Sequence, residues 1–143
     1  MRCYIATSFS HWPVAKRVAQ LLADVGVQCS SSWITVAEAR CGRDAADTGA
    51  PRDISFAREC HRQNYADLDE SDALLVLRVD KMGEGFFEAY YAMNVINIPV
   101  VWVGAPILSV TVSSDVSQQP SAEFAVKHIA WMSKHHPFRK SRP

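Results

Sequence analysis

Hydrophobic positions along the chain alternate between strand-like runs and helical spacing. Residues 2–7 (RCYIAT) form a short β-rich run that ends in a small-residue loop, Thr7-Ser8-Phe9-Ser10-His11. Val14, Val18, Leu21, Leu22 and Val25 then recur at helical spacing. Pro13 sits where a first helical turn tolerates it, and Gly26 stands where a helix C′ residue would. A short second strand follows, from Val27 to about Ser30. Residues 31–53 have little periodicity, with Gly42, Gly49 and Pro51 as breakers. They predict one long loop of the kind that serves as a lid or binding loop, with a helical turn near Val36–Arg40.

Helical patterning resumes at about Ile54 and runs to Glu70, with Phe56, Cys60, Tyr65 and Leu68 inward. The continuous apolar run Ala73–Val79 is of the type buried on both faces of a parallel sheet. Gly83 and Gly85 break the chain before a helix from about Phe86 to Val95. Pro99–Val103 is another buried strand, closed by Gly104. A weak strand near Val110–Val112 and a helix near Ser121–Met132 complete the pattern. Strands alternating with helices imply right-handed crossovers. The expected fold is α/β: a single-domain Rossmann-like (flavodoxin-like) five-stranded parallel sheet, order 2-1-3-4-5, with helices on both faces. Residues 1–133 form that domain and 134–143 a basic tail, with no internal repeat.

Composition narrows the function classes. The 143 residues, 48% of them hydrophobic, suffice for one domain that buries roughly two-thirds of its unfolded surface. Fifteen Lys+Arg balance fifteen Asp+Glu, which argues against a general nucleic-acid binder. Cys3, Cys29, Cys41 and Cys60 show no metal-ligand or disulfide-framework spacing, and four free thiols suit a reducing cytosol. No apolar run approaches the ~18 residues of a membrane span, and the N-terminus enters a strand without a signal-peptide pattern. The expectation is a cytoplasmic protein with no metal, no cofactor, and neither membrane nor nucleic acid as partner.

In parallel α/β sheets, ligands bind beyond the carboxyl ends of the strands. That rule selects the loops Thr7–His11, Ser30–Asp53 and Asp80–Glu88. Tyr4, Ser8, Ser10, Glu84 and Glu88 fall in or beside them. A carboxylate in a first helical turn is stabilised by exposed N–H groups and the helix dipole. In a pocket, such a carboxylate can act as a nucleophile or steady an oxocarbenium ion. Acids there also serve as caps. Position alone makes Glu84 a cap and leaves Glu88 open between the two roles. Trp33 has two readings as well, a cover over a nucleobase or ordinary packing. His11 and His61 lack partners for a nucleophile–base pair.

Three stretches resemble the nucleoside 2-deoxyribosyltransferase superfamily, which includes related nucleotide N-glycosidases. Gly83-Glu-Gly-Phe-Phe-Glu88-Ala-Tyr-Tyr-Ala92, followed by Ile98-Pro-Val-Val-Trp-Val-Gly104, resembles its catalytic turn, helix and strand. Arg2-Cys-Tyr4-Ile-Ala-Thr-Ser8-Phe resembles its first strand, and Ala66-Asp67-Leu-Asp-Glu-Ser-Asp72 its helix-to-strand passage. The likeness spans about residues 2–112. It implies cleavage or transfer at the N-glycosidic bond of a nucleoside or nucleotide, in a homodimer or higher homo-oligomer.

Carried over by position, Glu88 matches the catalytic nucleophile and Tyr4 the tyrosine beside it. Asn64 falls where the family usually has a catalytic Asp, and an amide cannot donate a proton as an acid does. Asp67, one turn on, is the candidate substitute. Tyr90 replaces the family's usual Gly two residues after the nucleophile. Thr7, Ser8, Phe9 and Ser10 match the loop expected to hold the sugar's 5′ end, and Gly83 and Gly85 the turn before the nucleophile. Ile107-Leu108-Ser109 resembles a stretch through which a neighbouring subunit completes the site, with an ordinary loop serine as the alternative. A non-catalytic module sensing a nucleotide-derived signal, or a glycohydrolase of NAD, remains the competing reading.

Overall fold

Strand β1 (Arg2–Ala6) pairs in parallel with β2 (Gln28–Cys29) on one side and β3 (Ala73–Leu77) on the other. A computed structural model of the chain describes residues 1–41, 54–78, 85–105 and 116–135. β4 (Val100–Val103) and β5 (Val116–Gln119) extend the sheet in the order β2-β1-β3-β4-β5, all parallel. That is the order expected from the alternation. The helices among the described residues are α1 (Trp12–Asp24), α2 (Trp33–Cys41), α3 (Ile54–Asp69), α4 (Gly85–Asn94) and α5 (Ala122–His135). The chain reverses its direction across the sheet after β2. Right-handed crossovers therefore place α1 on one face and α3 and α4 on the other. α1 packs against α5, and α3 against α4.

β3 is buried at every position, and β1 at every position after Arg2. Tyr4, Ile5, Leu22, Leu74, Leu75 and Trp102 lie at the centre of the core with no exposed surface. α1 ends as predicted: Gly26 has φ +79°, its N–H bonds the Ala23 carbonyl at 2.9 Å, and Val27 N–H bonds Leu22 at 2.9 Å. This is the paired C-terminal closure that a left-handed glycine permits.

Two expectations need correction. Residues 31–53 are not one long loop, because α2 occupies Trp33–Cys41. Its first turn is fixed by tertiary contacts: Trp33, Ile34 and Ala37 are buried, and the Ser32 carbonyl accepts from Thr35 and Val36. Its sequence amphipathicity is weak, so periodicity could not reveal it. The fifth strand is Val116–Gln119 rather than a segment near Val110–Val112, which lies outside the described residues. The sequence VSQQ lacks a β-branched run and sits half-exposed at the sheet edge, leaving no apolar signature. On α3, only Leu68 of the four expected inward residues is fully buried, while Phe56, Cys60 and Tyr65 are half-buried.

The passage from α3 to β3 is a set of acid clamps. The Arg2 guanidinium pairs with Glu70, and Asp72 accepts the Arg2 backbone N–H at 2.7 Å while its own N–H bonds the Arg2 carbonyl at 2.8 Å. Asp69 accepts from the Tyr91 hydroxyl at 2.9 Å, tying α3 to α4. The rings of Tyr65 and Tyr91 meet edge to face at 4.9 Å beside it. At the far end of β4, Gly104 has φ +103°, and a Cβ there would lie 2.3 Å from the Arg78 carbonyl. Only glycine fits that turn.

Candidate functional site

The chain leaves β1 toward one sheet edge and β3 toward the other, so a crevice opens at the carboxyl ends of these two strands. Tyr4 pairs across the sheet with Leu74, and its side chain projects to the face covered by α4. There its hydroxyl donates to Glu88 Oε1 at 2.9 Å. Tyr4 is fully buried and Glu88 is 6% exposed. Glu88 lies in the first turn of α4, which opens at the buried Gly85. A carboxylate this deep requires hydrogen bonds and favourable dipoles. Tyr4 supplies a hydrogen bond and the α4 N-terminus the dipole. The phenol also fixes the orientation of the carboxyl group, so Glu88 is sequestered and directed rather than a flexible surface cap.

The loop after β1 begins at Thr7. Thr7 Oγ1 is buried without a hydrogen-bond partner among the described residues. Ser8, Phe9 and Ser10 form the entry to a single 3-10 turn over Phe9–His11, closed by His11 N–H on the Ser8 carbonyl at 2.8 Å. Ser8 and Phe9 are half-buried and Ser10 is exposed. Asn64 is half-buried on α3, and its Oδ1 is the second expected site atom buried without a partner among the described residues.

Two expected site residues are tied into the framework. Asp67 accepts from Ser32 N–H at 2.8 Å, Ser32 Oγ at 2.6 Å and Gln63 Nε2 at 2.8 Å. Its carboxylate ties the start of α2 to α3. Trp33 is 5% exposed, its indole N–H donates to the Ile5 carbonyl at 2.9 Å, and its ring faces Phe9 at 6.2 Å. It packs in the core rather than covering the strand ends. Gly83 and Ser109, like Glu84, lie outside the described residues.

A residue absent from the sequence-based site explains why Trp33 sits there. β2 is only two residues long, so Ile5 extends beyond its ladder partner. Ser31 Oγ accepts from Ile5 N–H at 2.6 Å and donates to the Ile5 carbonyl at 3.1 Å, and Trp33 adds its own bond. Side chains thus close the backbone edge that a longer strand would have paired. Ser30 and Ser71 extend this polar seam, their hydroxyls 2.6 Å apart. The run Ser30-Ser31-Ser32 was the available signal.

Burial pushes the thiols of Cys3 and Cys29 up from their ordinary value. Among the described residues, no three His, Cys, Asp or Glu side chains converge as a metal site would require. No helix among them is long and apolar enough to cross a membrane. The arrangement holds a buried, oriented carboxyl group of Glu88 against Tyr4 of β1. No protein-family model, curated protein or solved structure matches the chain.

Proposed function

We propose that the protein cleaves, or transfers at, the N-glycosidic bond of a nucleoside or nucleotide, with Glu88 as nucleophile. The buried Tyr4–Glu88 hydrogen bond at the β1/β3 crevice carries this reading. A capping glutamate would sit at the surface and bond its own helix, whereas this one is sequestered and aimed by a phenol from another element.

In the proposed reaction a Glu88 oxygen attacks C1′ as the C1′–N bond breaks, its electron pair leaving with the base. The product is a glycosyl ester on Glu88, which retaining logic then resolves. Water attacking C1′ frees the carboxylate and gives the sugar, its displaced proton balancing the base. A second nucleobase in place of water makes the reaction a transfer. Tyr4 orients the carboxylate throughout. Thr7 Oγ1 and Asn64 Oδ1, buried and unpartnered among the described residues, are the groups to bind sugar or base. Neither Asn64 nor the triply bonded Asp67 suits the role of proton donor to the base. This favours leaving groups that depart readily, and a pyridinium such as the nicotinamide of NAD leaves neutral without a proton. The same observation supports the second reading, a non-catalytic sensor of a nucleotide-derived ligand.

The test is incubation of the protein with a deoxynucleoside, a deoxynucleotide and NAD, with chromatography for released base. Release from at least one supports catalysis. Binding without release from any supports the sensor.

A further inference from the structure

α3 carries a polar residue where its own pattern calls for an apolar one. The covered side of the helix runs Ala57, Cys60, Asn64 and Leu68, each three or four positions from the next. Leu68 is fully buried, and Asn64 stands one turn before it. Asn64 Oδ1 is buried with no hydrogen-bond partner among the described residues. An amide oxygen withdrawn from water without a donor is costly, and native proteins keep few of them. A purely structural position on this stripe is better served by an apolar side chain.

The register of the helices brings this acceptor level with Glu88. α3 leads into β3 and α4 into β4 of an all-parallel sheet, so both helices run against the strands and in the same direction. Tyr91 fixes their relative height. Its ring meets Tyr65 edge to face at 4.9 Å, and its hydroxyl donates to Asp69 at 2.9 Å. The middle of that span, residue 67, is three positions after Asn64, as Tyr91 is three after Glu88. Both helices lie on the face toward which Tyr4 projects to reach Glu88.

We infer that Asn64 selects the leaving group, and that this group is a cationic pyridine ring bearing a carboxamide, as in NAD. The inference rests on the reading of Glu88 as nucleophile. An amide oxygen accepts an N–H, which a carboxamide substituent supplies. An amide has no proton to give, and a neutral base such as adenine leaves as an anion unless a proton reaches it. A pyridinium needs none. As a Glu88 oxygen bonds to C1′, the C1′–N electron pair passes to the ring nitrogen and cancels its positive charge, and the neutral pyridine carboxamide departs. Water then attacks C1′ of the glycosyl ester. The carboxylate is freed, the sugar keeps the hydroxyl, and one proton of the water passes to solvent.

The experiment measures kcat/KM for ring release from NAD and from its analogue with a carboxylate in place of the carboxamide, and for adenine release from deoxyadenosine. Wild type is expected to prefer NAD over the analogue about tenfold, as for one hydrogen bond. It should prefer NAD over deoxyadenosine at least about a hundredfold, the usual contribution of a general acid. Asn64→Leu removes the acceptor, so the preference for NAD over the analogue should vanish. Asn64→Asp keeps an acceptor and adds a proton donor. The ratio of adenine to nicotinamide release should then rise at least about tenfold, most strongly at acid pH. Each comparison is a ratio within one preparation, which a merely structural Asn64 would leave unchanged. Should Asn64→Leu not fold, the wild-type and Asn64→Asp ratios decide. The inference alone is overturned if wild type cleaves deoxyadenosine as readily as NAD, or if either folded variant keeps the wild-type ratios. Absence of release from every substrate overturns the proposed function itself, and this inference with it.

Discussion

Tyr4 and Glu88 stand 84 positions apart in sequence, yet the phenol of one donates to the carboxylate of the other across 2.9 Å in the buried interior. One comes from the middle of β1 and the other from the first turn of α4. Their meeting links the sheet to the candidate chemistry. Tyr4→Phe keeps the ring and removes the hydroxyl, leaving a buried carboxylate short of a donor. The expected cost is about 1–3 kcal/mol in a denaturant titration, with a drop in base release larger than the loss of folded protein explains. Unchanged stability would mean that the hydrogen bond is not formed in solution.

Asp67 distinguishes framework from chemistry. Asp67→Ala removes the acceptor for Ser32 and Gln63 and loosens the start of α2. Stability should fall by about 1–2 kcal/mol, as for loss of a helix-capping acceptor. The pH profile of base release, measured on the protein that remains folded, should keep its shape. Loss of the profile's limb that reports a required acid would return Asp67 to the site.

Alkaline pH should destabilise the protein through its buried thiols. Burial raises the thiols of Cys3 and Cys29 from the ordinary 9.0. Below that value the folded and unfolded chains both keep these protons, and stability is unaffected by them. Above it the unfolded chain releases protons that the folded chain retains, so stability falls as pH rises. Each thiol contributes a slope of up to about 1.4 kcal/mol per pH unit. Denaturant midpoints at increasing alkaline pH measure this, and Cys3→Ala should flatten the decline.

The outer side of α4 bears on the expected homodimer. Phe87 is 61% exposed and Tyr90 56%, three residues apart on one side of the helix. If that side is the subunit contact, light scattering at micromolar concentration gives a dimer, and Phe87→Ser with Tyr90→Ser gives a folded monomer. A wild-type monomer would contradict the dimer.

The strand order was legible because β1, β3 and β4 are short apolar runs separated by helices, and crossover handedness leaves few arrangements. The Tyr4–Glu88 relation was legible only through resemblance, since no periodicity links positions 84 apart. α2 and β5 were missed for one reason. Trp33 is fixed by its bond to the Ile5 carbonyl of β1, and Val116–Gln119 by the β4 edge, so local sequence carries little of their signal. The acids of residues 67–72 show tertiary roles that the sequence did not announce. Only Asp67 was expected near the chemistry, and Asp67, Asp69, Glu70 and Asp72 each hold another element in place.

The most direct measurement compares base release by wild type and Glu88→Gln across the deoxynucleoside, the deoxynucleotide and NAD. The amide oxygen can still accept from Tyr4, so this variant preserves the buried hydrogen bond that Glu88→Ala would break. An amide is no nucleophile toward C1′. The account predicts a folded variant that binds the substrate of the wild type and releases base at least about a thousandfold more slowly. A Glu88→Gln protein that releases base at the wild-type rate would contradict it.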